Sequence, residues 1–204
     1  MSRSNVRVRP AEPGDLDVLA EFAAGYRQSV AGRLYRAVLP TGGAGVDFRE
    51  RYRRLLADSA HRLVVAVDVD SGTVLGMAVF GVDVVSTLAE VPSIYVSHLL
   101  VAPEHRHRGA GRALLAAAVG YADELGLGHV IVGVTTGGRE ANRFLARLGF
   151  APLVLRRIAP VLTLRRSLGL VDTHGSGRPH RPPRRLAARA GVASSRAARL
   201  RRLP

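Results

Sequence analysis

The chain has 204 residues, with 30 basic and 16 acidic side chains and a formal net charge of +14. Every one of those basic residues is Arg, and there is no cysteine. This excludes disulfides, thiolate nucleophiles, cysteine zinc sites, Schiff-base lysines and a phosphate loop built on Gly-Lys-Ser/Thr. The length suits one domain plus an appendage.

Asn5 to Arg9 alternates with period two and predicts a first strand. Pro10 to Asp15 turns, and Asp15 or a neighbour is placed to cap a helix whose apolar face is Leu16, Leu19, Ala20, Ala23 and Ala24. Pro40 to Gly45 is a breaker. A second helix is predicted from about Val46 to Ala60. Arg62 to Val67 reads as a strand, Asp70 to Thr73 as a turn, and Val74 to Val85 as the hairpin partner. After a loop around Pro92, Ile94 to Val101 is a further strand. A helix is predicted from about Gly111 to Leu125, stopped by Gly126 and Gly128. His129 to Val134 is a buried-type strand, Arg139 to Leu148 a short helix, and Phe150 to Ile158 a last strand. Pro160 to Leu168 fits a short helix or a strand equally well. The resulting order, β-α-α-β-β-β-α-β-α-β, predicts a mixed α/β layer architecture.

The composition changes after about Leu170. Residues 173–204 hold nine Arg and no acid, whereas residues 1–172 hold 21 Arg against 16 acids. A globular domain over 1–170 and an Arg/Pro-rich tail over 171–204 are therefore expected. The tail should be disordered, with a weak helix across 185–202 at most. It has no aromatic residue for stacking on bases, so contact with nucleic acid or an acidic membrane would rest on phosphate attraction alone. No run of 18 or more apolar residues predicts a transmembrane helix. The N-terminus lacks the pattern of a signal peptide, so a cytoplasmic location is expected.

The most informative segment is Arg106-His107-Arg108-Gly109-Ala110-Gly111-Arg112. It lies between a strand end and a helix start, where backbone N–H groups lack internal partners and the dipole favours an anion. Gly109 and Gly111 let a pyrophosphate approach the backbone, and Arg106, Arg108 and Arg112 add charge. An ordinary exposed loop is the plainer reading. A dinucleotide fold would need a third glycine where Leu114 stands, and an acid where the next strand ends in Thr135-Thr136.

The pattern Arg106-x-x-Gly109-x-Gly111, preceded by Leu99-Leu-Val-Ala-Pro103 and followed at the expected distance by Arg147-Leu-Gly-Phe150, resembles the GNAT superfamily of acyl-CoA-dependent N-acetyltransferases. The resemblance covers about residues 5–158. It implies the GNAT fold, a mixed central sheet with splayed parallel strands and flanking helices. It also implies acetyl-CoA as co-substrate, an amine acceptor and direct attack in a ternary complex. Main-chain atoms near Leu100 and Val101 would pair with the pantetheine arm, and residues 106–112 would hold the pyrophosphate.

Two family positions depart. The Tyr that often serves as general acid is Leu145 here, and an Asn seven residues earlier is Gly138. Asn142 shares their helical face and either substitutes toward CoA or simply faces solvent. The acid often found on the strand before the loop is replaced by Ser97 and His98. His98 has the right pKa range for a base, though it could equally pack at a strand edge. Alternation puts Tyr95 and Ser97 on one face and His98 on the other unless the strand bulges. His105 and His107 lack the further ligands a metal needs, so no metal is expected. The C-terminal part looks abbreviated, so a second protomer could complete the acceptor wall as a homodimer. The acceptor itself is not legible, and the lost acid leaves a non-catalytic acyl-CoA-binding module as the alternative.

Overall fold

The computed structural model describes residues 5–28, 47–84, 90–134, 138–154 and 157–170. The Pro40 to Gly45 breaker and the whole tail from 171 lie outside them. The described elements are β1 (Val6–Pro10), α1 (Leu16–Gln28), α2 (Phe48–Ala57), β2 (His61–Asp68), β3 (Val74–Val84), β4 (Pro92–Val101), α3 (Ala110–Glu124), β5 (Val130–Val132), α4 (Arg139–Arg147) and α5 (Val161–Ser167). The strands form one sheet in the order β1-β2-β3-β4-β5. All neighbours are antiparallel except β4 and β5, which are parallel.

The local signals act as expected at the chain start. Asp15 accepts both guanidinium nitrogens of Arg9, at 2.7 and 2.8 Å, and the Glu12 N–H at 2.8 Å. This ties β1 to the turn that opens α1. Those bonds, the Arg9 pair first, hold the Asp15 carboxyl below its usual pKa. Asp47 caps α2 by accepting the Glu50 N–H, a bond that satisfies one orphan donor of the first turn.

Alternation then sorts the central strands into two cores. Val64, Ala66, Ala78, Phe80, Ile94 and Val96 face α3, which supplies Ala110, Leu114, Ala118, Tyr121 and Ala122. Small residues on both sides let α3 lie close to the sheet. Leu63, Val65, Val67, Met77 and Val79 face the opposite side, under Leu16, Leu19 and Ala23 of α1 and Tyr52 of α2. The far end of α3 is held by Arg62, whose guanidinium lies 3.9 Å from the Tyr121 ring centroid and pairs with Glu124 at 2.8 Å.

One expected element is corrected. Phe150 to Ile158 forms no strand among its described residues. Pro152 has no N–H to donate, and β5 ends at Val132, too short to carry a long neighbour. The open choice at Pro160 to Leu168 resolves as the helix α5. Residues 151–154 and 157–170 are all exposed. No helix among the described residues is long and apolar enough to cross a membrane.

Candidate active site

The site grows from an irregularity in β4. Val79 of β3 pairs with His98, but its neighbour Phe80 pairs with Val96. Ser97 is therefore an extra residue, a β-bulge, and alternation restarts after it. The side chains follow: Val96 and Leu99 both pack toward the α3 core, while Leu100 packs toward the α1/α2 core. His98 is opposite Val79, and Tyr95 opposite Gly81, both on the α1/α2 face. The bulge thus brings Tyr95, Ser97 and His98 to one side, which regular alternation forbids. His98 Nδ1 lies 3.2 Å from Ser97 Oγ, and that hydroxyl points at the Val79 carbonyl at 3.5 Å.

The same slip resets the backbone. The Val96 carbonyl accepts the Gly133 N–H, so it faces β5. Beyond the bulge, the Ala102 N–H bonds to the Leu75 carbonyl of β3. A Cβ built on Gly76 would lie 2.5 Å from the Leu100 carbonyl oxygen. Leu100 and Ala102 therefore turn their polar atoms to β3. Leu99 and Val101 turn theirs to the other side by alternation.

Among the described residues, no strand pairs with that other side beyond Val96. β4 and β5 are paired only from Ile94↔Val130 to Val96↔Val132. β4 runs on to Val101 while β5 stops. The parallel pairing ends at the bulge, so among the described residues Ser97 to Val101 edge a cleft with no ladder partner on that side. Gly133 sits at the point of divergence, where a Cβ would lie 2.8 Å from the Tyr95 hydroxyl. Tyr95 thus reaches over the end of β5 because no side chain stands there.

At the far end of the cleft the chain turns into α3. His107 has φ 63° and Gly109, the N-cap of α3, has φ 91°. These left-handed residues bend the loop so that the first N–H groups of α3 lie at its mouth, a natural anion seat. Ala110 is buried against the core, while Arg106, His107, Arg108 and Arg112 are exposed. Asp68, in the β2–β3 turn, feels the charge of Arg108. Glu140 of α4 reaches both Arg106, at 3.4 Å, and His107, at 3.3 Å. A Cβ on Gly111 would meet the Phe144 ring at 3.5 Å.

The sequence had pointed to Asn142 and Leu145 on α4. Asn142 is exposed, and Leu145 is buried at 6% exposure. The α4 residues that touch the loop are Glu140 and Phe144, four apart on one helical face. That i, i+4 spacing is legible in the sequence.

His98 is exposed by surface area, although protein packed around it still withdraws part of its hydration. That loss of water pulls its pKa below the usual histidine value. Among the described residues, no group of three His, Asp or Glu side chains could hold a metal ion.

Comparison with known proteins agrees with this geometry. Residues 32–150 match the family described as Acetyltransferase (GNAT) family. A streptothricin acetyltransferase from Streptomyces lavendulae is 36% identical over 94 residues, 46% of this chain, and the chain spans only 47% of that relative. Among solved structures, a mutant BH1408 protein from Bacillus halodurans superposes with a TM-score of 0.64 at 16% identity, covering 76% of this chain and 98% of its own. An aminoglycoside acetyltransferase from an uncultured soil metagenomic sample gives a TM-score of 0.56 at 18% identity, covering 78% and 99%. These two likenesses speak for the fold. Matched family, a parallel pairing that ends at the bulge and a glycine loop at a helix start lead to one conclusion: the chain belongs to the GNAT family of acetyltransferases.

Proposed function

We propose that the protein transfers an acetyl group from acetyl-CoA to a primary amine by direct attack in a ternary complex. The observation that carries this reading is the bulge at Ser97, which joins a catalytic face to a backbone edge without a ladder partner among the described residues, in one stretch of β4. The pantetheine arm pairs with the outward polar atoms of Leu99 and Val101 rather than those of Leu100. The pyrophosphate rests on the N-terminal N–H groups of α3, with Arg106, Arg108 and Arg112 adding charge.

In the chemical step the amine nitrogen attacks the thioester carbonyl, the C–S bond breaks, and CoA leaves as thiolate. His98 receives the amine proton. With the serine hydrogen aimed at Val79, Nδ1 donates to Ser97 and Nε2 keeps the lone pair. Desolvation favours the neutral ring, which is the form a base requires. Leu145 offers no proton, so water protonates the thiolate.

The test is release of free thiol from acetyl-CoA across a panel of amines, including streptothricin, an aminoglycoside and a peptide N-terminus. The two antibiotics enter because acetyltransferases for them are among the relatives. The chain has no cysteine, so a thiol reagent reports CoA alone. Amine-dependent release is expected. Tight acetyl-CoA binding without release from any amine would instead favour a non-catalytic acyl-CoA-binding module, the reading that the buried Leu145 supports.

A further inference from the structure

Asp68 and Glu140 both interact with cations of the glycine loop. Asp68 feels the charge of Arg108, but its own turn occupies it. Its Oδ1 accepts the N–H groups of Asp70 and Ser71 and the Ser71 hydroxyl, at 3.0–3.1 Å. Glu140 stands in the first turn of α4, where an acid commonly serves the dipole of its own helix. Its side chain does more than that. Both carboxylate oxygens reach loop residues distant in the chain: Oε2 lies 3.4 Å from Arg106 Nη1, and Oε1 lies 3.3 Å from His107 Nε2.

The helix fixes that aim. Phe144 shares the face of Glu140 by its i, i+4 spacing, and its ring would meet a Cβ on Gly111 at 3.5 Å. α4 therefore sets Phe144 against the first turn of α3 and Glu140 against the residues that lead into it. His107, with φ 63°, bends the loop at the same point. The contact puts a carboxylate on a cation that the pyrophosphate also needs. At 3.4 Å the Arg106–Glu140 pair is longer than a strong charge-assisted bond of about 2.7–2.9 Å. Both side chains are more than half exposed, and exposed pairs are weak. A phosphate that takes Arg106 by two parallel bonds is the stronger partner.

We propose that Glu140 competes with the CoA phosphates for Arg106, so that acetyl-CoA must release the loop from α4 in order to bind. The inference rests on the acetyl-transfer reading, which seats the pyrophosphate on this loop. The fraction of molecules with Arg106 released then sets the apparent affinity. Glu140 is a positioning residue that acts through Arg106. Its effect falls on acetyl-CoA binding and not on the chemical step.

The experiment is calorimetric binding of acetyl-CoA to the full chain and to Glu140→Gln, which keeps the size of the side chain and removes its charge. The variant should bind at least about threefold more tightly, with its melting temperature unchanged, since Glu140 is exposed. In an Arg106→Gln background the same substitution should gain almost nothing, because no Arg106 is left to release. S-acetyl-pantetheine, which lacks the phosphates, should bind the full chain and Glu140→Gln alike. Equal or weaker acetyl-CoA binding by Glu140→Gln would overturn the proposal. So would a gain that persists in full without Arg106, which would leave plain repulsion between Glu140 and the phosphates. A matching gain for S-acetyl-pantetheine would overturn it too, by marking a change in the shape of the cleft. A full chain that binds no acetyl-CoA at all would overturn the acetyl-transfer reading together with this inference, whereas the other three results leave that reading standing.

Discussion

Gly109 and Gly111 look alike in the sequence but do different work. Gly109 holds φ 91°, so any side chain there carries a backbone cost of roughly 1–2 kcal/mol. Gly111 has ordinary backbone, and a Cβ there would meet the Phe144 ring and Val101 Cγ2 at ordinary van der Waals distance. Gly109→Ala should therefore weaken acetyl-CoA binding about tenfold, near 1.4 kcal/mol, whereas Gly111→Ala should change it less than about threefold by calorimetry. Equal effects would contradict this assignment. His98→Gln should cut turnover by roughly 10²–10⁴-fold with acetyl-CoA affinity intact. The pH profile is the sharper readout. Partial desolvation lowers the His98 pKa, so its ascending limb must lie below the ordinary value of about 6.5. That limb should vanish in the variant, while any limb from the acceptor amine stays. The sign also fixes stability. Neutral His98 is favoured in the fold, so its contribution is complete above about 6.5 and lost as pH falls through the lower folded value. Thermal melts of wild type and His98→Gln should converge above pH 7 and diverge in acid.

The element that makes the site is β4, and its behaviour depends on β3. Gly76 lets the end of β4 lie against β3, with the Leu100 carbonyl where a side chain would be. Gly76→Ala should push the last residues of β4 toward the cleft. A rise of about tenfold in KM for acetyl-CoA with little change in kcat is expected, together with a lower melting temperature. Unchanged KM would show that β4 keeps its place without the glycine. Most of this element pattern was legible in the sequence, because β2 and β3 are short continuous apolar runs bounded by turn residues such as Asp70, Ser71 and Gly72. The glycine loop was legible as the turn that opens α3, and Gly109 does stand there as its left-handed N-cap. The bulge was not legible. Ser97 and His98 both suit a strand, and only the pairing with Val79 and Phe80 shows which is extra. The resemblance named Leu100 and Val101 for the pantetheine arm, and only the register shows that Leu100 turns its polar atoms to β3. The strand expected at Phe150 to Ile158 failed for a related cause: local β-propensity was present, but β5 gives it no ladder to join.

The whole molecule combines a nearly neutral folded body with a cationic end. The body places two cores on either side of one sheet, and the cleft begins where the parallel pairing at its edge ends. The acetyl-transfer reading asks that acetyl-CoA and the amine occupy this cleft together. Initial-velocity kinetics of thiol release, with acetyl-CoA and an accepted amine varied against each other, tests that claim most directly. Intersecting lines in the double-reciprocal plot, with no thiol released when the amine is absent, are the result expected for direct attack in a ternary complex. Parallel lines, with a burst of thiol and an acetylated enzyme in the absence of amine, would contradict it.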